Sequence, residues 1–382
     1  MTGPRTGPRT GPLRVGVVGA TPARGWGTLA HLPALAALPE FTVTAVATTR
    51  AETARATADA FAVPLAFDNA ADLIASPDVD VVAVTVKVTQ HEAVVRASLA
   101  TGKHVFCEWP LGTSLAEATG LADLAAATGR QHVVGLQGYH SAGARYVAEL
   151  IGQGAIGRVL AVSAVAVGRQ GGGRIPAASA YAADRAAGAT VLSITAAHLL
   201  ATLGQAVGLP RTVASVVTAQ HRAATVIETG ETFPVTAPDQ VVLAGELHGG
   251  AALSVAVQGG ASPRAHFEVR VVGTDGTLVI GPDRTGADHG GASIHVADWT
   301  IRALRGSAAP EDLPVPARLL PLPPGVPAGP PRNVALVYQE LASAIDEERP
   351  AEPDFATAVR YHSLIESIER AASTGIRQEL AG

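Results

Sequence analysis

Between residues 13 and 135, short continuous apolar segments alternate with amphipathic segments of helical period. The apolar segments are LRVGVVG (13–19), FTVTAVATT (41–49), VDVVAVTV (79–86), HVFCEW (104–109) and HVVGLQG (132–138). Strands that are apolar on both sides are typical of a sheet buried on both faces. Because parallel neighbours in such a sheet need crossover helices, the alternation predicts an α/β fold with a doubly covered parallel sheet.

Length and composition exclude several classes of protein. The 382 residues suffice for two domains, and 47% of them are hydrophobic. A formal charge of −5 argues against a nucleic-acid surface, and no apolar run reaches the ~20 residues that a membrane span needs. Residues 1–12 repeat Thr-Gly-Pro-Arg, which predicts a disordered tail rather than a signal peptide. Cys107 is the only cysteine, so no internal disulfide is possible and a cytoplasmic location is expected.

The loop after the first apolar segment, GATPARGWG (residues 19–27, the glycine loop), is a candidate dinucleotide site. In dinucleotide-binding folds, a glycine permits the tight turn, and the following helix points its free N–H groups at the pyrophosphate. The loop departs from G-x-G-x-x-G, because a threonine replaces the second glycine and the loop is longer; an ordinary glycine-rich turn is the alternative. The candidate cofactor contacts here are Gly19, Ala20, Thr21, Gly25 and Trp26.

The end of the second apolar segment bears on which cofactor is used. An NAD enzyme usually carries an acidic residue there, which binds the adenosine ribose. This chain has Thr48, Thr49 and Arg50 instead. Because arginine pairs well with phosphate, these residues favour NADP(H), with NAD(H) possible. The alternative is that Arg50 only covers the helix that follows.

Three stretches together carry a family resemblance: AHLPALAALPEF (30–41), VDVVAVTVKVTQHEAVVRASLATGKHVFCEWPLG (79–112) and GLQGYHSAGARYVAELIGQGAIGRV (135–159). They resemble the Gfo/Idh/MocA family, and most closely the branch that contains the fungal galactose-regulon repressor. The resemblance implies an NAD(P)-binding Rossmann domain over residues 13–136. It also implies a C-terminal α/β substrate domain over residues 137–382, with a largely antiparallel open sheet. That sheet commonly serves the family as a dimer face, which implies a homodimer or homotetramer.

The chain departs from the family at its catalytic motifs. The usual E-K-P is Glu108-Trp109-Pro110 here, so the lysine thought to donate or relay a proton is absent. The second block, D-x-G-x-H, reads ITAAH up to His198, and both family aspartates are missing. In the T-P-N-x-x-H block that ends at His91, Val86 and Lys87 replace threonine and proline.

Hydride transfer to or from a hydroxyl-bearing carbon needs a group that exchanges the hydroxyl proton and a group that stabilises charge on the oxygen. His198 is the candidate acid or base, and Lys87 is the candidate for stabilising the oxygen. Trp109 offers only an indole N–H and is expected to wall the nicotinamide pocket. The alternatives are that His198 is a core histidine and that Lys87 only binds the cofactor. Further candidate cofactor contacts are Val86, His91 and Glu108, although Glu108 could also be structural.

From residue 157 onward the pattern changes to alternating strands, and FEVRVVG-TDG-TLVIG predicts a hairpin. The resemblance implies that the segment between the first two of these strands faces the substrate; a mobile surface loop is the alternative. We see no metal-ligand spacing in the sequence. The candidate substrate contacts are Tyr139, Arg174, Tyr181 and Asp184.

Three functions are compatible with the sequence. The first is an NADP-dependent oxidoreductase that acts on a sugar or another small hydroxylated or carbonyl substrate. The second is a non-catalytic, NADP-binding, metabolite-sensing regulator, which the missing lysine and aspartates favour. The third is a cofactor-dependent enzyme without net redox. The only lysines, Lys87 and Lys103, stand in a chain that otherwise uses arginine, which suggests positions where a compact ammonium matters.

Overall fold

The computed structural model describes residues 11–22, 25–168, 170–260, 266–283 and 293–380. The chain forms two compact units. The first contains the residues up to Gly135 together with Leu322–Arg360, and the second contains Leu136–Pro321 and Tyr361–Gly382. Most of the predicted tail, residues 1–10, lies outside the described residues, as do Ala23 and Arg24 of the glycine loop.

The α-helices are α1 (Leu32–Ala37), α2 (Ala51–Phe61), α3 (Ala70–Ala75), α4 (His91–Ala100), α5 (Leu115–Thr128), α6 (Ala142–Gly152), α7 (Ala197–Val207), α8 (Pro330–Asp346) and α9 (Phe355–Thr374). The strands of the first unit are β1 (Leu13–Val18), β2 (Phe41–Ala47), β3 (Leu65–Phe67), β4 (Val81–Val84), β5 (His104–Glu108) and β6 (His132–Gly135). Those of the second are β7 (Val159–Val167), β8 (Arg174–Ile175), β9 (Pro210–Thr218), β10 (Ala223–Val226), β11 (Thr232–Pro234), β12 (Gln240–Leu247), β13 (Ala252–Gln258), β14 (His266–Gly273), β15 (Thr277–Pro282), β16 (Trp299–Leu304), β17 (Glu311–Asp312) and β18 (Gln378–Glu379).

The first unit is built on the predicted parallel sheet. Its strand order is β3-β2-β1-β4-β5-β6, and all of its strand pairs are parallel. Val15 and Val17 of β1 and all four residues of β4 are buried, as expected of strands covered on both faces. The prediction of a Rossmann-type α/β fold is therefore confirmed.

Residues 322–360 pack with this first unit, whereas the sequence analysis placed them in the C-terminal domain. Helix α8 supplies the reason, because it buries one apolar side against the elements that follow β1. Val334, Val337 and Tyr338 are completely buried there beside Leu32 and Leu35 of α1. A segment distant in sequence thus completes the core of the Rossmann unit.

The second unit contains a nine-stranded mixed sheet in the order β17-β16-β15-β14-β7-β13-β12-β9-β18. Within the described part of this sheet, only β7 and β13 pair in parallel, and β14 and β15 form the predicted hairpin. One face of the sheet is buried, and β14 shows the alternation, with Phe267, Val269 and Val271 inside. The other face, the open face, exposes Val165, Val216 and Val242 at 40%, 59% and 51%.

Among the described residues, one helical stretch is long and apolar enough to span a bilayer by length and composition. This stretch, Arg185–Val207, is mostly buried inside the fold, as in the core helix of a folded domain. It comprises a 3₁₀ turn, a π-helical segment (Val191–Ala196) and α7.

Candidate functional site

The strand order of the first unit reverses direction between β1 and β4. The loops that leave the carboxyl ends of these two strands diverge at such a point and open the crevice where parallel sheets bind their ligands. The glycine loop follows β1, and Val86 and Lys87 follow β4. The structure therefore brings these two predicted sets of residues to one edge of the Rossmann sheet.

Gly19 and Gly27 let the glycine loop pack closely against the end of β4. Gly19 has φ +106°, and a Cβ placed on it would lie 2.8 Å from the backbone oxygen of Thr85. A Cβ on Gly27 would lie 2.6 Å from Oγ1 of the same threonine. Gly25 also has a positive φ, +112°, but the nearest atom to its Cβ position, among the described residues beyond its chain neighbours, is Thr21 Oγ1 at 3.7 Å. The close contacts fix the loop, while the space at Gly25 leaves its backbone approachable by a ligand.

The helical element after the glycine loop begins as a π-helical segment, Gly27–His31, and continues as α1. The Leu29 N–H already donates to the Gly25 carbonyl at 3.0 Å, so the N–H groups suited to an anion are those of Gly27 and Thr28, before this bond. Trp26 Nε1 is buried and has no hydrogen-bond partner among the described residues. Thr21 is held from the other side, because its carbonyl accepts a hydrogen bond from Thr28 Oγ1 at 2.5 Å. These features fit a dinucleotide pyrophosphate in the glycine loop.

The end of β2 presents an exposed Thr49 and an exposed Arg50 beside a buried Thr48. The Thr48 hydroxyl bonds the Arg50 carbonyl at 2.8 Å and the Thr53 hydroxyl at 2.6 Å, so it fixes the start of α2. The Arg50 side chain does not cap that helix and forms no ion pair in the described part of the chain. Thr49 and Arg50 are thus the two residues here that remain open to a ribose or phosphate.

His91 lies beneath the site. Only 1% of the residue is exposed; Nδ1 lies 2.9 Å from the Pro110 carbonyl and Nε2 lies 3.1 Å from the Val86 carbonyl. Burial lowers its pKa, so the ring is neutral at neutral pH. The Cys107 thiol, whose pKa burial raises, lies 3.4 Å from His91 Nδ1. A neutral ring has one N–H and donates to one of these two carbonyls, so His91 packs between the loops after β4 and β5; direct contact with a cofactor stays a prediction. Lys87, by contrast, is exposed.

The end of β5 carries Glu108 and Trp109, both buried. A carboxylate oxygen of Glu108 lies 2.7 Å from Nε2 of His31, and Nδ1 of His31 lies 2.8 Å from the Tyr338 hydroxyl. Trp109 is only 4% exposed. Glu108 and Trp109 were predicted from the sequence, whereas His31 and Tyr338 were not. His31 lies inside AHLPALAALPEF (30–41), one of the three stretches that resemble the family, and this position was the only indication of its importance in the sequence.

In the second unit, His198 lies in the first turn of α7 and is 5% exposed. Its ring stacks on that of His295, with centroids 3.8 Å apart and an interplanar angle of 11°. Burial, and then the neighbouring His295, hold the pKa of His198 well below its usual value. Nδ1 of His198 has no hydrogen-bond partner among the described residues. His198 is thus a neutral imidazole whose Nδ1 is buried, and its stacking on His295 could not be predicted from the sequence.

The four predicted substrate contacts lie in the second unit, where the Asp184 N–H donates to the Tyr181 carbonyl at 3.2 Å. Tyr139 is half-buried beside His140, and Arg174 is exposed on β8. Burial raises the pKa of Tyr181. The Asp184 carboxylate accepts hydrogen bonds from the Ala186 N–H and the Thr236 hydroxyl, so it fixes a turn. Their roles as substrate contacts stay predictions. The described residues contain no group of three or more His, Cys, Asp or Glu side chains arranged to hold a metal ion.

This fold, with its glycine loop at the point where the strand order reverses, defines a dinucleotide-binding protein of the Rossmann type. Residues 13–136 match the family described as "Oxidoreductase family, NAD-binding Rossmann fold", and residues 144–281 match "Gal80p, C-terminal domain". The chain belongs to the Gfo/Idh/MocA family of oxidoreductases, and its second half is of the Gal80p type.

Two of the relatives to which this chain is similar differ in function: one is a regulatory protein and the other is a reductase. The galactose/lactose metabolism regulatory protein GAL80 of Saccharomyces cerevisiae is 32% identical over 165 residues, which is 41% of this chain and 38% of that protein. The dTDP-3,4-didehydro-2,6-dideoxy-alpha-D-glucose 3-reductase of Streptomyces violaceoruber is 36% identical over 152 residues, 40% of this chain and 43% of that protein. The matches thus span less than half of the length of these relatives.

The likeness in fold extends further than these sequence matches. The crystal structure of a super-repressor mutant of Gal80p from Saccharomyces cerevisiae superposes with a TM-score of 0.83 at 22% identity. The superposition covers 96% of this chain and 98% of that one. At this identity, the comparison establishes the shared fold alone.

Proposed function

We propose that this chain is an NADP(H)-dependent oxidoreductase that acts on a sugar or another small hydroxylated or carbonyl substrate. The observation that carries the proposal is the glycine loop, which packs through Gly19 against the end of β4 at the point where the strand order reverses. The family of the Rossmann unit supports it, as does the sugar-nucleotide reductase among the relatives.

Different residues of the first unit would bind different parts of the cofactor. The N–H groups at the start of the π-helical segment and the backbone at Gly25 would bind the pyrophosphate. Thr49 and Arg50 would bind the adenosine ribose and its 2′-phosphate, which is the reason for favouring NADP(H) over NAD(H). Trp109 would wall the nicotinamide end and exclude water. The bound nicotinamide supplies the hydride acceptor or donor.

The residues for proton exchange are His198 and Lys87. With its pKa held low, His198 is neutral at pH 7. Its Nδ1 is buried and has no hydrogen-bond partner among the described residues; on contact with a substrate hydroxyl it would take up the proton as that hydroxyl is oxidised. In the reverse direction, the imidazolium returns the proton to the oxygen. The exposed Lys87 ammonium would stabilise negative charge on that oxygen.

A second candidate is a dinucleotide-binding regulator that senses a metabolite without turning it over. The specific observation in its favour is Trp109, which stands buried where the family keeps its proton-relaying lysine. The match of residues 144–281 to the Gal80p C-terminal domain also supports it.

The deciding experiment mixes the protein with NADPH and a panel of keto-sugars while the nicotinamide absorbance is followed. The oxidoreductase proposal expects loss of absorbance with at least one sugar, and His198→Ala should lower the rate by ~100-fold or more. Lys87→Met should lower kcat more than it weakens NADPH binding. His362→Ala is the matched control, because it removes another buried histidine of the same unit outside the proposed site.

Two outcomes would contradict the oxidoreductase proposal. An unchanged rate in His198→Ala would assign that histidine to the core alone. Saturable NADPH binding without turnover of any sugar would favour the regulator instead.

A further inference from the structure

Three buried side chains of the first unit form a continuous hydrogen-bonded row that the proposed function does not use: Tyr338, His31 and Glu108, here called the buried row. The Tyr338 hydroxyl lies 2.8 Å from His31 Nδ1, and His31 Nε2 lies 2.7 Å from Glu108 Oε1. Tyr338 and His31 are completely buried, and Glu108 is 9% exposed. His31 also meets the edge of Phe106, with centroids 4.8 Å apart.

One arrangement of protons satisfies every group in the buried row. The Tyr338 hydroxyl donates to Nδ1 of His31, and Nε2–H of His31 donates to a carboxylate oxygen of Glu108. Burial and the nearby Glu108 charge raise the pKa of Tyr338, so its hydroxyl keeps the proton that it donates. The row thus fixes the histidine tautomer and the orientation of the carboxylate.

Each member of the row belongs to a different element of the Rossmann unit. His31 is the last residue of the π-helical segment that follows the glycine loop, and Tyr338 lies in α8. Glu108 is the last residue of β5 and directly precedes Trp109. The Glu108 carboxylate also packs against Gly135, where an added Cβ would lie 2.7 Å from both carboxylate oxygens. The row therefore connects the segment after the glycine loop to the strand end that presents Trp109.

We propose that His31 and Tyr338 are positioning residues, which act through Glu108 to hold Trp109 in a fixed place relative to the glycine loop. The consequence for dinucleotide binding rests on the proposed function, because His31 follows the glycine loop and Glu108 directly precedes Trp109, the residues assigned to the cofactor. A ligand between the glycine loop and Trp109 would meet two walls already held at a set separation, so less ordering would be needed on binding.

The test uses the full chain labelled with 5-fluorotryptophan, whose three tryptophans give separate ¹⁹F signals. Tyr338→Phe removes only the hydroxyl that bonds His31. We expect it to move or broaden the Trp109 signal in the ligand-free protein and to weaken NADPH binding about 5- to 10-fold. The matched control is Tyr361→Phe, which removes the hydroxyl of another buried tyrosine, in the second unit. It should leave the Trp109 signal in place and NADPH affinity within about twofold.

His31→Gln keeps one donor and one acceptor, so its Trp109 signal should stay close to that of the wild type. His31→Leu removes both, and its Trp109 signal should move or broaden. The proposal is overturned if Tyr338→Phe leaves both the Trp109 signal and NADPH affinity as they are in the control. If the wild-type chain binds no NADPH, the proposed function fails, but the Trp109 signal of the free protein still decides whether the row positions the indole.

Discussion

Replacing Gly19 by alanine tests the packing of the glycine loop against β4. The residue has φ +106°, outside the conformations that a side chain readily allows, and holding a non-glycine residue there costs about 1–3 kcal/mol. The new methyl would also lie 2.8 Å from the Thr85 carbonyl oxygen and 2.9 Å from Val86 Cγ1. Neither atom is the far end of a flexible side chain, so relieving the overlap adds about 1–3 kcal/mol.

The unfolded chain offsets part of this loss, because alanine has less conformational freedom there than glycine, by about 0.4–1 kcal/mol. The net expectation for Gly19→Ala is a decrease of about 1–5.5 kcal/mol in the free energy of unfolding of the first unit. Gly25→Ala is the matched control: its φ is +112°, but among the described residues beyond its chain neighbours nothing lies closer than 3.7 Å to the added methyl. It has the backbone strain and the offset but no overlap, so it should lose only about 0–2.5 kcal/mol.

The assay is urea unfolding followed by far-UV circular dichroism, with the wild type and both variants compared under the same conditions. The free energy of unfolding should decrease more in Gly19→Ala than in Gly25→Ala. Equal losses in the two variants would show that contact with Thr85 contributes nothing, and a wild-type midpoint for Gly19→Ala would refute the proposed packing of the loop.

Three further predictions concern other parts of the molecule. Burial lowers the pKa of His104, His295 and His362 to about 4. In the unfolded chain these histidines take up a proton near pH 6.5, whereas in the folded chain they do so only near pH 4. The free energy of unfolding therefore keeps its full value above about pH 6.5 and declines by about 1.4 kcal/mol per pH unit for each histidine towards pH 4. Urea midpoints measured from pH 7.5 to 4.5 should therefore fall below pH 6.5, and a flat profile would contradict this. Lys103 Nζ donates to the Ser76 and Val79 carbonyls at 2.9 and 2.6 Å, so Lys103→Met should cost about 2–3 kcal/mol of unfolding free energy, and Lys103→Arg less. Equal midpoints for the wild type and Lys103→Met would rule that out. If the open face joins two or four copies, Val242→Glu, opposite the exposed Val216, should give monomers in sedimentation, whereas the exposed Ile227→Glu should not. An unchanged mass in Val242→Glu would exclude this face.

The parallel sheet and the β14–β15 hairpin could be predicted because their signals are local. The signals for apolar strands such as β4 and for the turn at Asp275-Gly276 lie in consecutive residues. The structure has the strand and the hairpin where these signals predict them. The glycine loop was also found from its position after β1. Lys103 was singled out for a compact ammonium, and its two carbonyl contacts agree with that interpretation.

What the sequence did not indicate depends on residues far apart in the chain. His31 and Tyr338 are 307 positions apart, and their hydrogen bond produces no periodicity in either neighbourhood. For the same reason, the return of residues 322–360 to the first unit and the stacking of His198 on His295 went unpredicted. The burial of His91 was missed because its contacts are carbonyls of two loops, which any sequence could supply.

Calorimetric titration of the full chain with NADPH and with NADH tests the central claim most directly. We predict saturable binding of NADPH, about tenfold tighter than that of NADH, and loss of this preference in Arg50→Ala. The absence of heat with either dinucleotide at millimolar concentration would contradict a cofactor site in the crevice between β1 and β4.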